Sequence, residues 1–127
     1  MKKQAVTVAN GPSAIGPYSV GVQAGEFVFT AGQIGLDPTT GNIVAGGVEA
    51  ETRQALENLK KILEAAHSGL EQVVKTTVFL QNMGDFAAMN AIYAHYFTEP
   101  YPARSAIQVA ALPKNAQVEI EAVAITH

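Results

Sequence analysis

Residues 48–66 read VEAETRQALENLKKILEAA, and their period sets the frame for the rest of the chain. Thr52, Ala55, Leu56, Leu59, Ile62, Leu63 and Ala66 recur at the three-and-four spacing of one helical face, while Glu51, Arg53, Glu57, Lys60, Lys61 and Glu64 occupy the remainder. The pattern predicts an amphipathic helix with one buried stripe. His67, Ser68 and Gly69 follow, and the glycine is the expected left-handed residue closing the last turn. A second helix is expected with Asp85 as N-cap and Phe86, Met89, Asn90, Tyr93 and Phe97 along one side, until Pro100 and Pro102 forbid continuation. Asn90 is the polar member of that stripe.

Strands fill the rest. Residues 4–8, 18–24, 27–31, 73–80, 104–109 and 117–125 are rich in β-branched or aromatic side chains and are separated by Gly, Pro, Asn and Asp. Ala24-Gly25-Glu26 reads as a hairpin turn and residues 37–42, DPTTGN, as a loop shaped by its Pro and Gly. The order is β-β-β-α-β-α-β-β. Crossovers through the helices require some parallel pairing, so an α+β fold is expected, a mixed sheet with both helices packed on one face.

At 127 residues and 48% hydrophobic content the chain is expected to form a single domain spanning residues 1–127. Eight basic residues against eleven acidic ones leave a net charge of −3, the wrong sign for electrostatic capture of a phosphate backbone, so no nucleic-acid partner is expected. The absence of cysteine removes disulfides, thiolate metal sites and thiol nucleophiles together. The N-terminal segment has two lysines but no apolar run of signal-peptide length, and no segment reaches the length of a membrane helix; a cytoplasmic location is expected. His67, His95 and His127 lack metal-ligand spacing, and neither a phosphate-cradling Gly-rich loop nor a nucleophile elbow is present.

The last strand carries the functional hint. Val118, Ile120, Ala122 and Ala124 share one apolar side, whereas Gln117, Glu119, Glu121, Val123 and Ile125 share the other. The second side, part carboxylate and part aliphatic, suits a surface partly covered by another subunit. In the strand from Arg104, Ser105, Ile107 and Val109 read as the apolar side, opposite Arg104, Ala106 and Gln108. Arg104 and Glu119 are therefore expected to project together from the helix-free face. An interfacial ion pair is the plain reading. Against it, Arg104 is one of two arginines, the other lying on a solvated helix face, and two glutamates exceed what one guanidinium needs. A site in which Arg104 fixes an anionic substrate and a glutamate handles water is the sharper reading.

Taken in order, AIGPYS (14–19), TAGQIGLDPTTG (30–41), VVKTTVFL (73–80), DFAAMNAIYAHYF (85–97), YPARSAIQVAALP (101–113) and VEIEAVAI (118–125) closely resemble the RidA, or YjgF-like, family of reactive imine deaminases across essentially the whole chain. The resemblance implies a chorismate-mutase-like fold assembled as a homotrimer, with active sites in clefts between subunits. It places the substrate-carboxylate arginine on Arg104 and the water-handling glutamate on Glu119. It also puts a cleft-closing aromatic on Tyr18, a backbone contact on Gly32 and a pocket asparagine on Asn90. Two substrate-binding positions depart: Ala31 stands where family members commonly have Ser, and Ala106 where many have Cys. The Ala31 change removes a possible hydrogen bond of about 1 kcal/mol.

The implied chemistry is hydrolysis of 2-imino acids, formed from 2-aminoacrylate or 2-aminocrotonate, to 2-oxo acids and ammonia. The expected partners are these small acids and further copies of the chain, and the reaction needs no metal or organic cofactor. The alternative is a non-catalytic sensor that binds small 2-oxo acids in the same cleft.

Overall fold

The computed structural model describes residues 2–127. Its elements run β1 (Lys3–Ala5), β2 (Gly21–Ala24), β3 (Phe27–Thr30), β4 (Gln33–Ile34), α1 (Gly47–Ala65), β5 (Val73–Leu80), α2 (Phe86–Tyr93), β6 (Ala103–Gln108) and β7 (Val118–Ile125). The sheet order is β1-β2-β3-β7-β5-β6, with β4 also paired to β7. Only β5 and β6, joined through α2, run parallel; the other pairs are antiparallel. The expected mixed sheet with two helices on one face is present, and β4 is an addition. Two residues are too few to display a period, so β4 had no pattern to be read from.

The core forms where the apolar stripe of α1 meets one face of the sheet. Leu56, Leu59, Ile62 and Leu63 are fully buried against Val28, Val78, Leu80, Val118, Ile120 and Ala124. Residues of β7 alternate as expected, Val118, Ile120, Ala122 and Ala124 buried and their neighbours half-buried. Burying a side chain of the Leu or Ile class stabilises by about 1.5–3 kcal/mol, so this stripe fixes α1 on the sheet. Gly21 allows the close approach: a methyl built there would lie 2.9 Å from Ile62 Cγ2.

Three local expectations are corrected. His67, at φ 59°, takes the left-handed conformation after α1, while Gly69 is extended at φ −176°. The second helix ends at Tyr93, well before Pro100, with the Tyr93 and Phe97 rings 4.5 Å apart, and Asp85 sits at its N-terminus without a capping side-chain bond. Glu51, expected on the solvated side, is buried because its Oε1 accepts the Gln117 N–H at 2.8 Å. Burial pushes its proton affinity up, and the Gln117 bond works in the opposite direction.

The helix-free face is itself apolar in part. Phe27 and Phe29 on β3 and Ile107 on β6 are each close to half exposed. In register with them or along β5 lie Val123, Ile125 and Phe79, with Lys75, Thr77 and Glu121 between.

Candidate active site

Adjacent residues in register on a sheet project to the same side, and this decides where each candidate side chain goes. Arg104 is in register with Thr76, and Ala106 with Val78, both fully buried under the helices. Glu119 is in register with Phe79 on the other side. The expectation that Arg104 and Glu119 share the helix-free face is therefore wrong within one chain. They lie on opposite faces. The alternation along β6 was correct, but its apolar residue Ile107 faces outward because the outward face is also apolar.

The predicted residues consequently separate into two clusters. In the first, Arg104 leaves the outer strand β6 on the α2 side. Its Nη1 donates to Asn90 Oδ1 at 2.6 Å, and its guanidinium carbon lies 4.7 Å from the Tyr93 ring centroid and 5.3 Å from that of Phe86. Ala106 follows on the same side, partly buried against the core. Residues 86, 90 and 93 occupy one face of α2, so the helix presents two rings and an amide to one guanidinium. The sequence sign was there: an asparagine interrupting an aromatic stripe.

The second cluster is a cavity of about 260 Å³ lined among others by Ile15, Tyr18, Gly32, Gln33, Asn58 and Glu119. Gly32 is required by close approach, since a methyl built on it would sit 2.7 Å from Glu119 Cδ and 3.0 Å from Oε1. Desolvation raises the proton affinity of Glu119 above the ordinary carboxylate value of 4.5, and the charge of Glu121 pushes the same way. Tyr18 is half exposed at the cavity. Ala31 is not part of this lining; its N–H donates to the Val20 carbonyl at 2.8 Å. A smaller and shallower opening of about 150 Å³ on the apolar face, near Lys75 and Glu121, contains neither Arg104 nor Glu119.

Asn58 is a feature the sequence reading missed. It is buried on α1, and its Nδ2 donates to Leu36 O at 2.9 Å and to Ile34 O at 3.4 Å, while its Oδ1 accepts from Gln54 at 2.9 Å. These bonds tie the backbone beside β4 to the helix and so hold the wall that faces Glu119. The loop at residues 37–42 continues that wall, closed by Asp37 N–H to Asn42 O and Gly41 N–H to Asp37 O, both 2.8 Å, with Gly41 at φ 77°.

These two clusters, a guanidinium seated on aromatic rings and a glutamate against a glycine, sit on the motifs PARS, GPY, AGQ and EIEA. A model of the endoribonuclease L-PSP family matches residues 8–126. The chain belongs to that family, the RidA or YjgF-like group. The 2-iminobutanoate/2-iminopropanoate deaminase of Homo sapiens is 50% identical over 123 residues, which cover 97% of this chain and 90% of that protein. A RutC family protein of Pyrococcus horikoshii is 53% identical over 122 residues, covering 96% and 97%. Among solved structures, that of Escherichia coli TdcF with bound serine superposes with a TM-score of 0.91 at 42% identity, covering 98% of this chain and 99% of that one. The mixed sheet with two helices is thus the architecture of the RidA-like proteins. No helix among the described residues is long and apolar enough to cross a membrane.

Proposed function

We propose that this RidA-like chain is a 2-iminobutanoate/2-iminopropanoate deaminase, a hydrolase of C–N bonds that converts 2-imino acids to 2-oxo acids and ammonia. The observation that carries it is Glu119: a carboxylate of raised proton affinity, pressed against Gly32 in a cavity with Tyr18. A carboxylate made more basic by burial is a better acceptor of a proton from water, and its acid form can return that proton. The names of relatives at about half identity support the same chemistry.

Arg104 binds the substrate carboxylate, using N–H groups beyond the one committed to Asn90. Because Arg104 and Glu119 face apart in one chain, a second copy supplies the missing cluster. The strand β6 is the outermost on its side of the sheet, and the partly apolar helix-free face is suited to being covered; both support assembly of the chain as a homotrimer with sites between subunits. Light scattering then gives about 40 kDa, three chain masses of 13.3 kDa.

In the reaction, the water oxygen bonds to C2 of the iminium as the C=N π electrons move to nitrogen, and Glu119 takes the proton released. Glu119 then protonates the amine of the carbinolamine. A lone pair on the hydroxyl oxygen forms the C=O bond, the C–N bond breaks, ammonia leaves, and the hydroxyl proton passes to a base. No step requires a metal or organic cofactor.

The test is an imino acid generated in situ from serine by a dehydratase. The chain accelerates ammonia release, and Arg104→Ala abolishes the acceleration. A protein that binds pyruvate yet leaves the rate unchanged is a sensor and refutes the enzyme reading.

A further inference from the structure

We propose that Phe86 and Tyr93 are positioning residues for the substrate-binding arginine, fixing the plane in which the Arg104 guanidinium offers its N–H groups to a carboxylate. The inference rests on the role given to Arg104 under the proposed function and extends it to two aromatic residues that otherwise read as core.

An arginine side chain samples many rotamers, and a ligand that must order it loses affinity in doing so. Here the guanidinium is ordered before any ligand arrives. Its carbon lies 4.7 Å from the centroid of Tyr93 and 5.3 Å from that of Phe86, within the range in which the negative ring face attracts a cation. Contact with ring faces leaves the N–H groups, which lie in the guanidinium plane, available. Asn90 takes one of them at 2.6 Å and sets rotation within that plane.

Tyr93 is itself held. Its hydroxyl shares a 2.7 Å hydrogen bond with Thr76 Oγ1, and its ring packs against Phe97 at 4.5 Å. Thr76 is fully buried and is the register partner of Arg104 on β5. The strand next to the arginine therefore fixes the ring that fixes the arginine. Phe86, at the N-terminus of α2, is only partly buried and packs at the edge of the core, so core filling constrains its position less than that of Tyr93.

Fluorination separates a ring-face role from packing, because it weakens the negative face with little change of volume. Phe86 is replaced by mono-, di- and trifluorophenylalanine, and the Kd for pyruvate and the KM for in-situ 2-iminopropanoate are measured. Both constants are expected to rise stepwise, by about tenfold across the series, with kcat unchanged and Tm lowered by no more than a few degrees. Phe86→Leu, apolar but without a π face, is expected to reach the same end and covers the case in which a fluorinated chain does not fold. Tyr93→Phe, which keeps the ring and loses the Thr76 bond, is expected to raise KM less than Phe86→Leu. Constants that stay flat across the series while Arg104→Ala abolishes pyruvate binding overturn this inference alone. An Arg104→Ala chain that binds pyruvate normally overturns the arginine's role and this inference with it.

Discussion

Arg104 and Glu119 stand on opposite faces of one sheet, Arg104 in register with Thr76 beneath α2 and Glu119 in register with Phe79 on the helix-free side. One copy of the chain therefore cannot close its own guanidinium and its own carboxylate on a three-carbon acid. Each copy instead carries two separate clusters, an arginine seated on Phe86 and Tyr93 and a cavity holding Glu119.

Glu119 is expected to lower stability at neutral pH. Its proton affinity in the folded chain is raised above 4.5, chiefly by burial, so the stability it contributes is full below pH 4.5 and is lost as pH rises through the folded value. Glu119→Gln removes that loss. It is expected to raise Tm by a few degrees at pH 7, with no gain below pH 4.5, while ammonia release stops. Thermal melts of both proteins across pH check this, and a variant less stable at neutral pH contradicts it.

The acid limb of kcat/KM is expected to report the same group. Activity is expected to fall through a single protonation above pH 4.5, because the base must be ionised to take a proton from water. Glu121 also raises the proton affinity of Glu119, so Glu121→Gln is expected to move the limb to lower pH and leave its shape intact. A limb that does not move removes Glu121 from this role.

Gly32→Ala brings a methyl to 2.7 Å from Glu119 Cδ. The contact is with the end of a flexible side chain, so the fold tolerates it by displacing the carboxylate. A displacement on that scale at a catalytic base costs about a hundredfold in kcat/KM. Steady-state kinetics alongside an unchanged melting curve is the expected result; full activity would separate Glu119 from Gly32.

How much of this was legible depended on whether a pattern had one meaning. The α1 stripe and the alternation of β7 have a buried side and a wetter side, and both were read correctly. The parity of β6 was readable too, but its face was not. Ile107 is apolar yet exposed, because the helix-free face also carries Phe27 and Phe29, and hydrophobicity ceases to distinguish inside from outside where a second copy is the expected cover. Only the register with Thr76 resolves it. Asn58 was hidden for the opposite reason: a polar residue on a helix reads as solvated unless its partners, here the Ile34 and Leu36 carbonyls, are known.

Asn58→Leu is expected to destabilise by about 1–2 kcal/mol, since it takes the amide donor from the Leu36 carbonyl in a partly buried wall, while the Ile34 carbonyl keeps the Leu36 N–H at 2.7 Å. The denaturation midpoint measures this. A neutral substitution would mean that the wall of the cavity is held by the loop at residues 37–42 alone.

The most direct measurement mixes two inactive variants. Arg104→Ala retains the Glu119 cavity, and Glu119→Gln retains the guanidinium; denatured together in equal amounts and refolded, they form mixed assemblies. Sites built between subunits predict about one quarter of wild-type ammonia release, the chance that an intact arginine meets an intact glutamate across an interface of a ring. A mixture as inactive as its two parents, from chains shown to have exchanged, would contradict a site shared between copies.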